Sequence, residues 1–125
     1  MDLNMKILIV DDFATMRKIL KNILKQIGFK NISEADDGKS ALKILKKENF
    51  DLILSDWNMP EISGLELLNR VKSDNELKNI PFVMVTAEAQ KDNILEAVKA
   101  GVNSYILKPF TPETVREKLN KIFGS

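Results

Sequence analysis

Hydrophobic positions along the chain fall into short unbroken runs that alternate with longer stripes of helical period. Met5-Lys6-Ile7-Leu8-Ile9-Val10 is a β-branched run too short for a helix and closed by Asp11-Asp12, the pattern of a strand buried on both faces. From Phe13 to Ile27 the period changes: Met16, Ile19, Leu20, Ile23, Leu24 and Ile27 form one apolar stripe, with Arg17, Lys18, Lys21 and Lys25 opposite as a solvated face. Gly28 supplies the stop. Asn31 to Ala35 reads as a weak strand, and Gly38 opens a helix that turns Ala41, Leu42, Ile44 and Leu45 inward. The run Leu52-Ile53-Leu54 ends at Ser55-Asp56, followed by a turn closing on Pro60. Ser63-Gly64-Leu65-Glu66 has the form of a capping box, so a helix runs from there to about Ser73 with Leu65, Leu68 and Val71 toward the core. Phe82 to Val85 is a further buried strand ending at Thr86, and Ile94, Leu95 and Val98 mark a helix closed by Gly101. Ser104 to Leu107 is the last strand, ending at Lys108-Pro109. Thr111-Pro112 caps a final helix carrying Val115, Leu119, Ile122 and Phe123.

Five strands alternating with five helices predict an α/β fold, a parallel sheet covered on both faces by right-handed crossovers. The absence of a Gly-x-Gly turn after the first strand favours the flavodoxin-like strand order 2-1-3-4-5 over the dinucleotide-binding one. That order makes the first and third strands neighbours. Asp11, Asp12 and Asp56 then converge at the carboxyl edge where such sheets bind their ligands, with Thr86 and Lys108 ending the strands beyond.

Composition narrows the classes. At 125 residues the chain fits one domain, residues 1–125, with no low-complexity tract or repeat to divide it and no separate output domain expected after the last helix. The absence of cysteine excludes disulfides and thiolate chemistry. A formal net charge of +1 gives no field that would gather nucleic acid or anionic membrane, and the basic stripe of the first helix lacks interleaved aromatics. No secretory h-region and no apolar run near the ~20 residues of a membrane span is present, so a soluble cytoplasmic protein is expected.

Two unit charges ~4 Å apart at an effective dielectric of ~20 repel by about 4 kcal/mol, and a third acid adds to that. Lys108 offsets one charge; the remainder invites a hard divalent cation, and a site with oxygen ligands and room for water suits Mg²⁺ better than zinc. The plainer reading makes Asp11 and Asp12 caps of the first helix. A carboxylate beside such a cation is able to attack phosphorus and form an aspartyl-phosphate, with Lys108 and Thr86 engaging the transferred oxygens. Asp56 is the better candidate for this role, because Asp11 and Asp12 are adjacent and project differently from one strand end.

Asp11-Asp12, the Asp56 to Pro60 turn with Gly64 beyond it, Thr86-Ala87 and Lys108-Pro109-Phe110 together resemble the receiver domains of two-component response regulators. The resemblance spans essentially the whole chain. Phe13-Ala14-Thr15-Met16-Arg17, Ser55-Asp56-Trp57-Asn58-Met59-Pro60 and Lys118-Leu119-Asn120-Lys121-Ile122-Phe123 are similar to the single-domain chemotaxis members of that family. The resemblance implies that Asp56 accepts phosphate from a chemotaxis histidine kinase (CheA-like). It implies that Asp12, Asp56 and the Asn58 carbonyl bind Mg²⁺, with Asp11 assisting through water, and that the Lys108–Pro109 bond is cis. It further implies a switch in which Thr86 moves inward and Tyr105 follows, with Lys91, Ile94, Val98, Tyr105, Leu107 and Lys118 on the output face. That face would meet a flagellar motor switch protein (FliM-like) to control rotation, and a phosphatase would reset the signal. A monomer is expected, catalysing only its own phosphorylation and slow dephosphorylation.

Ser63 departs from the acid usual before the glycine, which leaves the capping role intact. Other readings are a phosphorelay or other motility receiver and, in a different class, a small phosphatase working through an aspartyl intermediate. Such phosphatases commonly need a second acid two residues after the nucleophile, where this chain has Asn58.

Overall fold

A computed structural model describes residues 1–124. The elements are β1 (Lys6–Val10), α1 (Ala14–Ile27), β2 (Asn31–Ala35), α2 (Gly38–Lys47), β3 (Leu52–Ser55), α3 (Gly64–Ser73), β4 (Phe82–Thr86), α4 (Lys91–Lys99), β5 (Ser104–Leu107) and α5 (Pro112–Phe123). All four strand pairings are parallel and the order is β2-β1-β3-β4-β5, as the sequence predicts. Among the described residues no helix is long and apolar enough to cross a membrane.

Burial explains why the central strands read as unbroken apolar runs. Successive side chains point to opposite faces, and both faces are covered. Ile7, Ile9, Leu54, Val83, Val85 and Ile106 pack with Leu20, Leu24, Val115 and Leu119 from α1 and α5. The intervening Leu8, Val10, Ile53, Phe82 and Met84 pack with Ala41, Leu45, Leu67, Leu68 and Val71 from α2 and α3. Truncating any of these large side chains to alanine costs roughly 2–5 kcal/mol, so the strand ends are held on a rigid support.

Side-chain caps start three of the helices. Asp37 accepts from the Ser40 amide at 2.7 Å, Ser63 from the Glu66 amide at 3.1 Å and Thr111 from the Thr114 amide at 3.1 Å. The predicted capping box is half made, because the Glu66 carboxylate pairs with Arg70 rather than reaching back to Ser63. Helix α1 begins differently: Phe13 is its N-cap and offers no side-chain acceptor.

Three expected faces hold in part: Leu68 and Val71 of α3 and Leu20, Ile23 and Leu24 of α1 are buried as expected, and the departures lie beside them. In α3 the fully buried leucines are Leu67 and Leu68, with Leu65 half-buried. The buried face begins at Gly64, which carries no side chain to mark it. In α1 the stripe centres on Leu20, Ile23 and Leu24, which puts Ile19 at its border and leaves that residue exposed. In α4 only Ala97 is buried, while Leu95 and Val98 are exposed. Small residues, Ala97 with Ala100 half-buried beside the core, make that contact, so the large apolar side chains were a poor guide to it.

Candidate functional site

Register brings the predicted polar groups to one edge. Val10 of β1 lies opposite Ser55 of β3, and the Asp56 amide continues the ladder by donating to the Val10 carbonyl at 2.9 Å, so Asp11 and Asp56 leave adjacent strands at the same height. Thr86 is in register with Leu107, and the Lys108 amide donates to the Thr86 carbonyl at 2.9 Å. One carboxylate oxygen from each of Asp11, Asp12 and Asp56 lies within 4.8 Å of the others. The Lys108 ammonium reaches into this group, 3.0 Å from Asp11 Oδ2 and 3.3 Å from Asp56 Oδ2. The Lys108–Pro109 bond is cis.

The three acids are not equivalent. Asp11 is buried and both its oxygens are engaged, Oδ1 by the Phe13 amide at 2.9 Å and Oδ2 by Lys108. Neither Asp11 nor Asp12 caps α1, whose cap residue is Phe13 with no side-chain acceptor, so the capping reading fails; the Asp11 bond to the Phe13 amide lies one step before the helix. Asp56 is nearly buried, its Oδ1 accepting from the Trp57 amide at 2.7 Å. Asp12 is exposed and, among the described residues, makes no hydrogen bond or ion pair. Three carboxylates against one ammonium leave a local excess of negative charge. Oxygen donors alone, one of them open to solvent, fit a hard cation that keeps part of its water shell. Asn58 is exposed two residues beyond Asp56.

The turn after Asp56 is held at several points. The Gly64 amide donates to the Trp57 carbonyl at 2.7 Å, and the Ser55 hydroxyl donates to the Asp56 carbonyl at 2.9 Å. Glu61 has φ 65°, and the Ile62 amide donates to the Pro60 carbonyl at 2.8 Å, a tight turn of the rarer hand that sets Ile62 into the core.

Thr86 is buried and its Oγ1 accepts from the Glu88 amide at 3.2 Å, which leaves the hydroxyl proton free to be donated. Tyr105 donates its hydroxyl to the Glu88 carbonyl at 2.7 Å, so it does not have the solvated hydroxyl of an ordinary edge-strand tyrosine. Burial, with the charges of Glu88 and Asp56, pushes the Tyr105 phenol up from 10.0 to about 12. Its contribution to stability is therefore full below pH 10 and is lost as pH rises through 12, where the native phenol ionises too. Tyr105→Phe removes both the hydrogen bond and this dependence. Wild type is expected to exceed the variant by about 1 kcal/mol at neutral pH. That margin should shrink between pH 10 and 12 in urea titrations, and a constant margin there would contradict the assignment.

Of the residues expected on an output face, Lys91, Val98 and Leu107 are exposed, while Ile94, Tyr105 and Lys118 are half-buried. Leu95, on the same helix as Ile94 and Val98, is exposed as well. Sequence reasoning also missed Arg17 and Glu34. The helical period puts Arg17 on the solvated stripe, yet its guanidinium donates to the Asp11 carbonyl at 2.7 Å and to Glu34 at 3.1 Å. No local pattern signals that contact. A cavity of about 120 Å³ lined by Leu45, Lys46, Phe50, Leu77 and Ile80 involves none of the clustered acids.

The comparisons with known proteins agree with this geometry. The response regulator receiver domain model matches residues 7–120. The chain is 58% identical to the chemotaxis protein CheY-3 of Vibrio cholerae, covering 96% of this chain and 92% of that one. It is 56% identical to the chemotaxis protein CheY of Pseudomonas aeruginosa, over 95% and 96% of the two chains. Among solved structures, Vibrio cholerae CheY4 superposes with a TM-score of 0.88 at 33% identity, covering 95% of this chain and 98% of that one. A response regulator from Chloroflexus aurantiacus gives a TM-score of 0.90 at 30% identity, covering 98% and 99%. A sheet of this order, acids at the ends of β1 and β3, and identity of this extent place the chain in the response regulator receiver family, among its CheY-type chemotaxis proteins.

Proposed function

We propose that this receiver takes a phosphoryl group onto Asp56 from the phosphohistidine of a chemotaxis kinase. One observation carries the choice of Asp56: both oxygens of Asp11 are hydrogen-bonded and Asp12 meets no ammonium, whereas Asp56 Oδ2 accepts no hydrogen bond among the described residues and lies 3.3 Å from Lys108. In the transfer an Asp56 carboxylate oxygen forms the new bond to phosphorus as the phosphorus–nitrogen bond to histidine breaks, and the histidine nitrogen keeps the electron pair. Lys108 neutralises charge on the transferred oxygens, and Thr86 donates its free hydroxyl proton to one of them. Asp12, Asp56 and the Asn58 carbonyl are the groups that would hold Mg²⁺, with Asp11 acting through water. When bound, the ion supplies further charge neutralisation at the same oxygens. Hydrolysis of the aspartyl-phosphate by water then returns the carboxylate.

The output reading follows from the same residues. Glu88 ties Thr86 to Tyr105 through its amide and its carbonyl, so an inward pull on Thr86 is passed to the tyrosine. The surface of Lys91, Ile94, Val98, Tyr105, Leu107 and Lys118 is then the face on which a flagellar motor switch protein docks, with residues 1–125 acting as one receiver unit. Trp57, the one tryptophan, adjoins Asp56 and serves as reporter. Its emission should change with Mg²⁺ and again with acetyl phosphate, alongside the mass gain of one phosphoryl group. A motor switch protein should be retained only with a stable phosphoryl mimic. Capture of a second histidine phosphotransferase instead would redirect the output to a phosphorelay, and no change on adding acetyl phosphate would sink the chemistry.

A further inference from the structure

A ring of contacts from β2 and α1 holds the backbone of Asp11 on both sides. Asp11 donates its amide to the Ala35 carbonyl at 3.2 Å, extending the β1–β2 ladder by one step. The Asp11 carbonyl accepts from Arg17 Nη1 at 2.7 Å, a short charge-assisted bond. Arg17 Nε is held in turn by Glu34 Oε1 at 3.1 Å, and Lys21 holds the other Glu34 oxygen at 3.3 Å. Glu34 directly precedes Ala35, so adjacent residues of one edge strand fix both the amide and the carbonyl of Asp11. The Arg17 side chain is 18% exposed, far less than a solvated helix position would be. Asp12 has no partner of its own among the described residues, so the direction of its carboxylate depends on the orientation of the peptide that this ring fixes.

We infer that Arg17, braced by Glu34, is a positioning residue: it holds the Asp11–Asp12 peptide so that the open Asp12 carboxylate faces Asp56 at the spacing a divalent cation needs. This rests on the proposed role of these acids in binding Mg²⁺. It also gives a purpose to β2, a strand that buries little of its own surface. Partners outside the ligand set commonly set metal affinity in this way, by orienting the groups that coordinate.

The sign of the effect separates positioning from plain charge. Arg17 brings a positive charge close to the site, so if the field alone mattered, its removal would strengthen Mg²⁺ binding. If positioning dominates, removal weakens it. Titration of Mg²⁺ by Trp57 emission and by calorimetry, on the full chain, reads this directly. Arg17→Met, which keeps the stem, and Arg17→Lys, which keeps the charge but loses the planar fork, are each expected to raise Kd roughly tenfold. Glu34→Gln should raise it less, and adding it to Arg17→Met should change little further, because the two act as one unit. Thermal unfolding monitors folding separately, and loss of stability alone does not alter the Kd of the folded fraction. Binding by Arg17→Met as tight as wild type or tighter overturns the inference while leaving the site intact; should Arg17→Met not fold, wild-type affinity in Arg17→Lys overturns it equally. Absence of Mg²⁺ binding by wild type overturns both the inference and the reading beneath it.

Discussion

Asp56→Asn is expected to abolish phosphoryl uptake from acetyl phosphate while making the metal-free protein more stable. The amide keeps the size of the carboxylate and its acceptor for the Trp57 amide, but it is no nucleophile. The gain in stability follows from the charges. At an effective dielectric of ~20, acid oxygens within 4.8 Å repel Asp56 by at least ~3.5 kcal/mol apiece, against ~5 kcal/mol of attraction from Lys108 at 3.3 Å. The two repulsions exceed the one attraction by ~2 kcal/mol, and partial screening of the exposed Asp12 reduces this to a net relief of about 1 kcal/mol, or a few degrees in Tm for a domain of this size. Mg²⁺, which should stabilise wild type by binding the folded state, should stabilise the variant far less. Mass spectrometry after acetyl phosphate treatment checks the first half and metal-free calorimetry the second. Phosphoryl uptake by Asp56→Asn would move the acceptor to Asp11 or Asp12, and a lower Tm would show that attraction by Lys108 outweighs the crowding.

Much of this is legible in the sequence alone, and the reason is physical. A strand covered on both faces must be apolar throughout, so the first polar residue after it marks the sheet's edge. Asp11, Asp56, Thr86 and Lys108 announce themselves in this way, and the parallel order sets them side by side. Helix faces were less legible. Periodicity records large side chains, whereas the buried face of α3 begins at Gly64 and that of α4 rests on Ala97, positions with little or no side chain to record. The supports of the site were hidden for another reason. Arg17 on the Asp11 carbonyl and Tyr105 on the Glu88 carbonyl are side chains bonded to backbone, and a carbonyl has the same appearance in every residue of a sequence. Pairing logic finds acids near bases. It found Lys108 with Asp56, and it had no means of finding a guanidinium aimed at a peptide group.

Gly64→Ala tests the largest steric constraint on the site. A Cβ at position 64 would lie 2.1 Å from the Asp56 carbonyl oxygen, 2.8 Å from Trp57 Cα and 2.9 Å from the Asp56 carbonyl carbon. All three are backbone atoms, so no rotamer change relieves the clash. The Asp56 amide is tied to Val10 at 2.9 Å and the Trp57 carbonyl to the Gly64 amide at 2.7 Å, which pins the turn from both sides. Either the start of α3 backs away and that second bond is lost, or the turn moves and carries Asp56 with it. The first route costs stability, by about 3 kcal/mol for forcing a methyl into packed backbone. The second also costs rate, since a nucleophile displaced by ~1 Å loses roughly a hundredfold. Ser63→Ala is the matched control, because it removes the cap on the Glu66 amide at a cost of about 1 kcal/mol and leaves the contact with Asp56 alone. Urea midpoints and acetyl phosphate kinetics on the pair separate the two effects: Ser63→Ala should be weakened but fully reactive, and Gly64→Ala should be both weaker and slower. If Gly64→Ala kept wild-type stability and rate, helix α3 would have to be free to retreat from the turn, and the site would not depend on the close backbone approach that glycine permits.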